Sequence, residues 1–222
     1  MTTMTLALEP VFTLSNEQFQ QLCLVNPELQ LERTAKGELV IMPPTGGETG
    51  RQNANLIFQV QLWNHKWEPR KIQNFARSAT YPRCFRLKKS SKKQLIEVSK
   101  YQLGEVFDAS TGFILPNGAT RSPDVSWLEK SRWQALTTDQ REKFVSLCPD
   151  FVTELVSPSD AVQKTRDKME EYRDNGCSFG ILVNRKEKQA ELYIADCEPQ
   201  TLSLPRKILG INIFKDLVLD LT

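Results

Sequence analysis

The chain reads as an α+β fold with an N-terminal helix-hairpin extension. Three observations point there. Apolar-leaning residues recur at spacings of three and four from Glu48 to Trp67, as one face of a long helix requires. Two apolar runs of strand length, Asp150–Val156 and Phe179–Val183, bracket a helix-length stretch at Ala161–Asp174. Turn signals separate the other strand-like runs, and neither an internal repeat nor a linker divides the 222 residues. Residues 1–10 read as a flexible tail and 11–222 as a single domain.

From the N-terminus, Ser15 caps a short helix carrying Phe19, Leu22 and Cys23 to about Val25. Leu29–Arg33 and Glu38–Met42 flank Ala35-Lys36-Gly37 as a β-hairpin, and Pro43-Pro44-Thr45-Gly46-Gly47 stops its second strand. The long helix carries the stripe Asn53, Leu56, Val60, Trp63 and Trp67. Mixed, strand-like segments run from Ile72 to Val98 around a basic loop. Glu105–Phe107, Phe113–Leu115 and Asp124–Leu128 follow as strands, with Pro116-Asn117-Gly118 as a turn between the last two. Ser131–Ala135 and Thr138–Phe144 form a helical excursion. Ser157-Pro158-Ser159-Asp160 then stops the strand ending at Val156 and caps the next helix, which Asn175-Gly176 terminates. Ala190–Ile194 and Thr201–Leu204 complete the strands.

Composition narrows the function. A hydrophobic content of 40% supports a sizeable core. No stretch approaches the roughly 20 apolar residues of a membrane span. Met1–Pro10 has neither the basic nor the long apolar segment of a secretion signal, so a cytoplasmic protein without a membrane partner is expected. The five cysteines, Cys23, Cys84, Cys148, Cys177 and Cys197, are scattered and never form a C-x-x-C pair. That speaks against a zinc ribbon or a disulfide framework and for reduced, mostly buried thiols. His65 is the single histidine, which removes any multi-histidine metal site and leaves it a structural place in the long helix. A net charge of +2 makes a weak overall field for nucleic acid. The distribution says more: Arg83, Arg86, Lys88, Lys89, Lys92 and Lys93 gather around Ser90-Ser91, as a solvated hairpin loop or as a phosphate-contacting one.

Asp124 and Glu154 carry the chemistry. Asp124 follows Pro123 at the start of a strand, and Glu154 lies inside the apolar run Phe151-Val152-Thr153-Glu154-Leu155-Val156. A carboxylate in a buried strand has to be paired, hydrogen-bonded or holding a metal, because a bare buried charge is costly. Two such acids on neighbouring strands suit a hard divalent cation. Lys168 completes the group. Glu154 lies about 10 Å back from the strand end at roughly 3.3 Å per residue, and Lys168 about 12 Å along the following helix at roughly 1.5 Å per residue. If that helix folds back on the strand, the two meet at similar depth.

These residues resemble the Uma family, bacterial proteins of restriction-endonuclease-like fold in the PD-(D/E)XK nuclease superfamily. The resemblance rests on Pro123-Asp124, Pro149 to Leu155 and Ser157-Pro158-Ser159, then Lys168-Met169-Glu170-Glu171-Tyr172 and Asn175-Gly176. Upstream it extends through Met42 to Glu48, Phe107 to Phe113 and Leu115 to Gly118, so it spans roughly Glu38 to Ile194. It implies an α/β-type core, a restriction-endonuclease-like mixed sheet flanked by helices, and a two-carboxylate metal site with Asp124 and Glu154 as ligands and the Leu155 carbonyl as a third oxygen. Glu48 would act through a water, and Lys168 would replace the superfamily's strand lysine. Three departures stand out. Val156 fills the usual lysine slot, Ile181 and Asn184 replace a common Trp and Asp, and Arg83–Lys93 is long for the family.

The implied function is a metal-dependent endonuclease hydrolysing DNA phosphodiester bonds with Mg²⁺ or Mn²⁺, Lys168 orienting the water or offsetting transition-state charge. The partner would be nucleic acid, DNA in the first place, and a homodimer is expected by analogy with enzymes that cut both strands. Two alternatives stay open: a nuclease-fold nucleic-acid-binding protein that no longer cleaves, and acids with a purely structural role. Asp150, Asp160, Asp167 and Glu170 read as caps and solvated charges.

Overall fold

The computed structural model describes residues 3–9, 11–65, 102–157 and 161–222, whose strands form three sheets. One sheet contains β1 (Met4–Leu6), β2 (Gln30–Arg33), β3 (Leu39–Met42), β5 (Phe113–Ile114) and β6 (Thr120–Arg121), in the order β1-β3-β2-β6-β5. The larger sheet contains β4 (Gly104–Asp108), β7 (Val125–Glu129), β8 (Phe151–Leu155), β9 (Phe179–Asn184), β10 (Gln189–Ile194) and β11 (Gln200–Ser203), in the order β11-β10-β9-β8-β7-β4. Within it β8 and β9 pair parallel and the other neighbours antiparallel, so the sheet is mixed, as the family resemblance implies. A third, two-stranded sheet pairs β12 (Lys207–Leu209) with β13 (Val218–Asp220).

Five α-helices are described: α1 (Asn16–Val25), α2 (Gly47–Asn64), α3 (Lys130–Ala135), α4 (Thr138–Glu142) and α5 (Val162–Asp174). The Ser15 hydroxyl accepts from Gln18 N–H and the Gln18 side chain accepts from Ser15 N–H, a capping box that fixes the start of α1. Helix α5 is the crossover that a parallel pair needs between β8 and β9.

The two faces of the larger sheet carry separate cores. Phe151 and Leu155 of β8 pack with Leu56, Val60 and Trp63 of α2 and with Phe214, Leu217 and Leu219 of the C-terminal segment. Val152 packs on the other face with Met169 and Tyr172 of α5 and with Leu182 of β9. The period-two alternation of a strand therefore gives β8 one face toward each helix, and all five of its residues are buried. Asn64, fully buried, ties α2 to the sheet. Its Oδ1 accepts from Gly104 N–H and Trp127 Nε1, both at 2.8 Å, while its Nδ2 donates to the Gly104 carbonyl at 2.8 Å.

Gly104 has to be glycine for space. A Cβ there would stand 2.1 Å from the Leu128 carbonyl oxygen and 2.6 Å from the Trp127 ring. Gly104→Ala is expected to destabilise the protein by about 1–3 kcal/mol, read as a fall of several degrees in Tm.

The structure differs from the sequence-based expectations in several places. Met4–Leu6, expected in a tail, pairs with Leu39–Ile41 of β3. Pro116-Asn117-Gly118 joins β5 to β6, a two-residue strand that has no run of its own in the sequence. Asp150 is buried rather than solvated: it accepts from Glu129 N–H and pairs with Arg132 at 2.5 Å. Cys148 and Cys177 are buried thiols, Cys23 is half-buried and Cys197 is exposed. Trp67, the Ile72–Val98 segments, Cys84, the Arg83–Lys93 loop and Pro158-Ser159-Asp160 lie outside the described residues.

Candidate active site

Register builds the site. Pairing of β7 with β8 matches Val125 to Thr153, so one step further Asp124 stands opposite Glu154. Pairing of β2 with β6 matches Arg33 to Thr120, so one step further Glu32 stands opposite Arg121. Only Ser122 and Pro123 separate Arg121 from Asp124, and this short connection carries the chain from one sheet to the other. Pro123 lacks an N–H, so the crossing leaves one donor fewer to satisfy.

Asp124 is held from two sides. Its Oδ2 accepts from Leu155 N–H at 2.7 Å, and its Oδ1 accepts from Asn53 Nδ2 of α2 at 2.9 Å. Glu154, 6% exposed, faces α5, where Lys168 and Tyr172 stand one turn apart on the same side of the helix. Its Oε1 takes Lys168 Nζ at 2.8 Å and the Tyr172 hydroxyl at 3.1 Å. The convergence expected of Glu154 and Lys168 is present in the structure.

Lys168 has a second carboxylate. Glu32, 2% exposed, accepts its Nζ at 2.7 Å and Ser122 N–H at 2.8 Å. Glu32 also pairs with Arg121 at 3.2 Å, and Arg121 Nε reaches Glu171 at 2.5 Å. The charges alternate along one line: Glu171, Arg121, Glu32, Lys168, Glu154. Sequence reasoning missed Glu32, Arg121, Asn53 and Tyr172. A usable signal for Arg121 was its place two residues before Pro123-Asp124.

Electrostatics sets the protonation states. Burial pushes the Glu154 carboxyl up to about 7, with Lys168 opposing and Asp124 and Glu32 adding to the rise. Burial also raises Asp124, against the pull of its two hydrogen bonds. Burial is the largest influence on Glu32 too, but Lys168 and Arg121 together outweigh it and hold this carboxyl below the usual range. Lys168 is raised: burial disfavours its charge, and Glu154 and Glu32 more than restore it. Fully ionised, the four acids of the cluster (Asp124, Glu154, Glu32 and Glu171) exceed its two cations by two charges, the deficit a divalent ion would fill.

The donor chemistry fits such an ion. Asp124 and Glu154 offer hard carboxylate oxygens, and Asn53 Oδ1, buried beside them, has no hydrogen-bond partner. Among the described residues no group of three His, Cys, Asp or Glu side chains could hold a metal, so the remaining oxygens would come from amide, main chain, water or substrate. A cleft of about 670 Å³, lined by Gln30, Leu31, Gly50 and Ser122 among others, reaches the site at Asp124 and Asn53.

Other expected residues fall elsewhere. Glu48 lies on the exposed first turn of α2, engaged by Arg51, Gln52 and Arg185, each at 2.7 Å. Five residues from Asn53, it is turned about 140° around the helix. Leu155 meets Asp124 through its N–H. Val156 in the lysine slot gives its N–H to the Val183 carbonyl. Asn184 accepts from Glu187 N–H at 3.1 Å and so braces the β9–β10 turn.

The comparisons follow the same outline. A family model described as "Putative restriction endonuclease" matches residues 16–83 and 92–222, and the gap between the two stretches falls within the basic Arg83–Lys93 segment. A solved structure of "a putative nuclease belonging to DUF820" from Anabaena variabilis is 14% identical and aligns with a TM-score of 0.59 over 86% of this chain and 87% of that one. It shares the fold. No curated protein matches, and among the described residues no helix is long and apolar enough to cross a membrane. With its carboxylate pair and its lysine assembled on a mixed sheet of that architecture, the chain belongs to the Uma2 family.

Proposed function

We propose that the protein is a metal-dependent endonuclease that hydrolyses DNA phosphodiester bonds. The observation that carries this reading is the cluster of Asp124, Glu154 and Lys168 at the end of β8, two carboxylates short of positive charge beside one buried ammonium. Family and fold support a nuclease-like role at a coarser level. Asp124 and Glu154 would hold Mg²⁺ or Mn²⁺, with Asn53 Oδ1 and the Leu155 carbonyl as further oxygens. When bound, the cation supplies Lewis acidity toward the scissile phosphate and the attacking water. Leu155 N–H and Asn53 Nδ2 fix the Asp124 carboxylate, so the ligand is oriented before anything binds. Lys168, kept charged, presents a positive group where negative charge develops on the phosphate. Nucleic acid, DNA first, would enter through the cleft beside Asp124, with the Arg83–Lys93 segment contacting phosphates.

The test is calorimetric titration of the protein and of Asp124→Asn with Mn²⁺ and Mg²⁺, followed by cleavage assays on plasmid DNA. Saturable binding by the parent, lost in the variant, and metal-dependent nicking are expected. Binding that survives in Asp124→Asn removes the site. A second reading, a binding protein without cleavage, is favoured by Val156 in the lysine slot; metal binding with no nicking of any DNA would select it.

A pH dependence follows. Glu154 has to be ionised to hold the cation and is half-protonated near pH 7, so binding is expected to weaken below about 7 and to release protons. Repeating the titration near pH 6.5 in buffers of different ionisation enthalpy counts them. Zero release sinks the assignment of Glu154.

A further inference from the structure

Glu32 has no place in the mechanism above, yet it is the most enclosed acid of the cluster and the second anion on Lys168. We infer that Glu32 is a positioning residue, which keeps the Lys168 ammonium in the site once a cation draws on Glu154. The inference rests on the nuclease reading of that site.

The argument is one of competition. Glu154 Oε1 takes the ammonium at 2.8 Å and the Tyr172 hydroxyl at 3.1 Å, and the same carboxylate is proposed to serve the cation. A lysine held by Glu154 alone would lose its partner as the cation bound. Buried and unpaired, it would then swing out to solvent. Glu32 prevents this, because its own bond to Nζ, at 2.7 Å, does not depend on Glu154. Nor can Glu32 drift. Ser122 N–H and Arg121 fix its two oxygens, and Glu171 holds Arg121 from behind. Glu32 also stands on the β2–β6 pair, outside the sheet that carries Glu154.

Glu32→Gln is the variant to make. Its amide oxygen can still accept from Ser122 N–H, and Arg121 keeps Glu171, so the variant is expected to fold. Lys168 is then left with one carboxylate, which the cation has to take from it. Mn²⁺ affinity measured by calorimetry is expected to fall about tenfold, within the range for residues that act through a ligand. In a Lys168→Met background the same substitution should change affinity by less than about threefold, because no ammonium competes. Equal losses in both backgrounds, or none in either, overturn the inference. A parent protein that binds no Mn²⁺ overturns the nuclease reading itself, which is a different result.

A second readout covers the case in which Lys168→Met does not fold. In Mg²⁺-saturated protein, labelling of Lys168 by an amine-reactive reagent, read by peptide mass spectrometry, is expected to rise at least about fivefold in Glu32→Gln over the parent, as the ammonium leaves the buried site. A purely structural Glu32 would leave that labelling unchanged, and unchanged labelling overturns the inference.

Discussion

Glu154→Gln is expected to lose Mn²⁺ binding by more than about 100-fold, since it removes one of only two carboxylate ligands, while the metal-free protein becomes no less stable. The second half follows from the sign of the Glu154 shift. Burial raises this carboxyl from 4.5 to about 7 in the folded state. The fold therefore binds the proton more tightly than the unfolded chain does between those values. The stability this group contributes is full below about pH 4.5 and is lost as pH rises through about 7. Glutamine imitates the protonated form at every pH. The difference in Tm between variant and parent should accordingly grow from pH 5 to pH 8 in the variant's favour, by thermal melts in a chelator. A variant that melts well below the parent at pH 8 while still binding Mn²⁺ would show that Glu154 is a structural ion-pair partner and no ligand.

Lys168→Met is expected to do the reverse. It strands Glu154 and Glu32 around an apolar side chain, and breaking a buried ion pair from one side costs about 3–5 kcal/mol. The loss should be largest at pH 8 and smaller near pH 5, where Glu154 accepts a proton. Saturating Mn²⁺ should restore part of it, since the ion replaces some of the missing positive charge. Cleavage should be absent even with metal bound. A variant with unchanged Tm and full nicking activity would remove Lys168 from both the network and the chemistry.

The contrast between these two variants reflects what the sequence could and could not disclose. Asp124, Glu154 and Lys168 were legible because each lies in or beside an element with a clear period, and strand and helix rises place Glu154 and Lys168 at one depth. Glu32 and Arg121 were not. Their meeting depends on β2 pairing with β6, a two-residue strand some 90 positions away that has neither alternation nor length. Glu48 came from the family resemblance alone, and Asn53 stood in the sequence only as one residue of the helix stripe. Helix geometry separates the two, turning Glu48 toward Arg51 and Arg185 and Asn53 toward Asp124. Met4–Leu6 joined a sheet through backbone bonds, which no side-chain pattern advertises.

The crossing at Ser122-Pro123 has a mechanical consequence. Because Glu32 and Glu154 stand on different sheets and share one ammonium, Lys168 works as a rivet between two plates. Cation uptake at Glu154 shifts the load onto the Glu32 side. A filled site would then leave the seam riveted from β2 alone, freer to shear than in the metal-free protein.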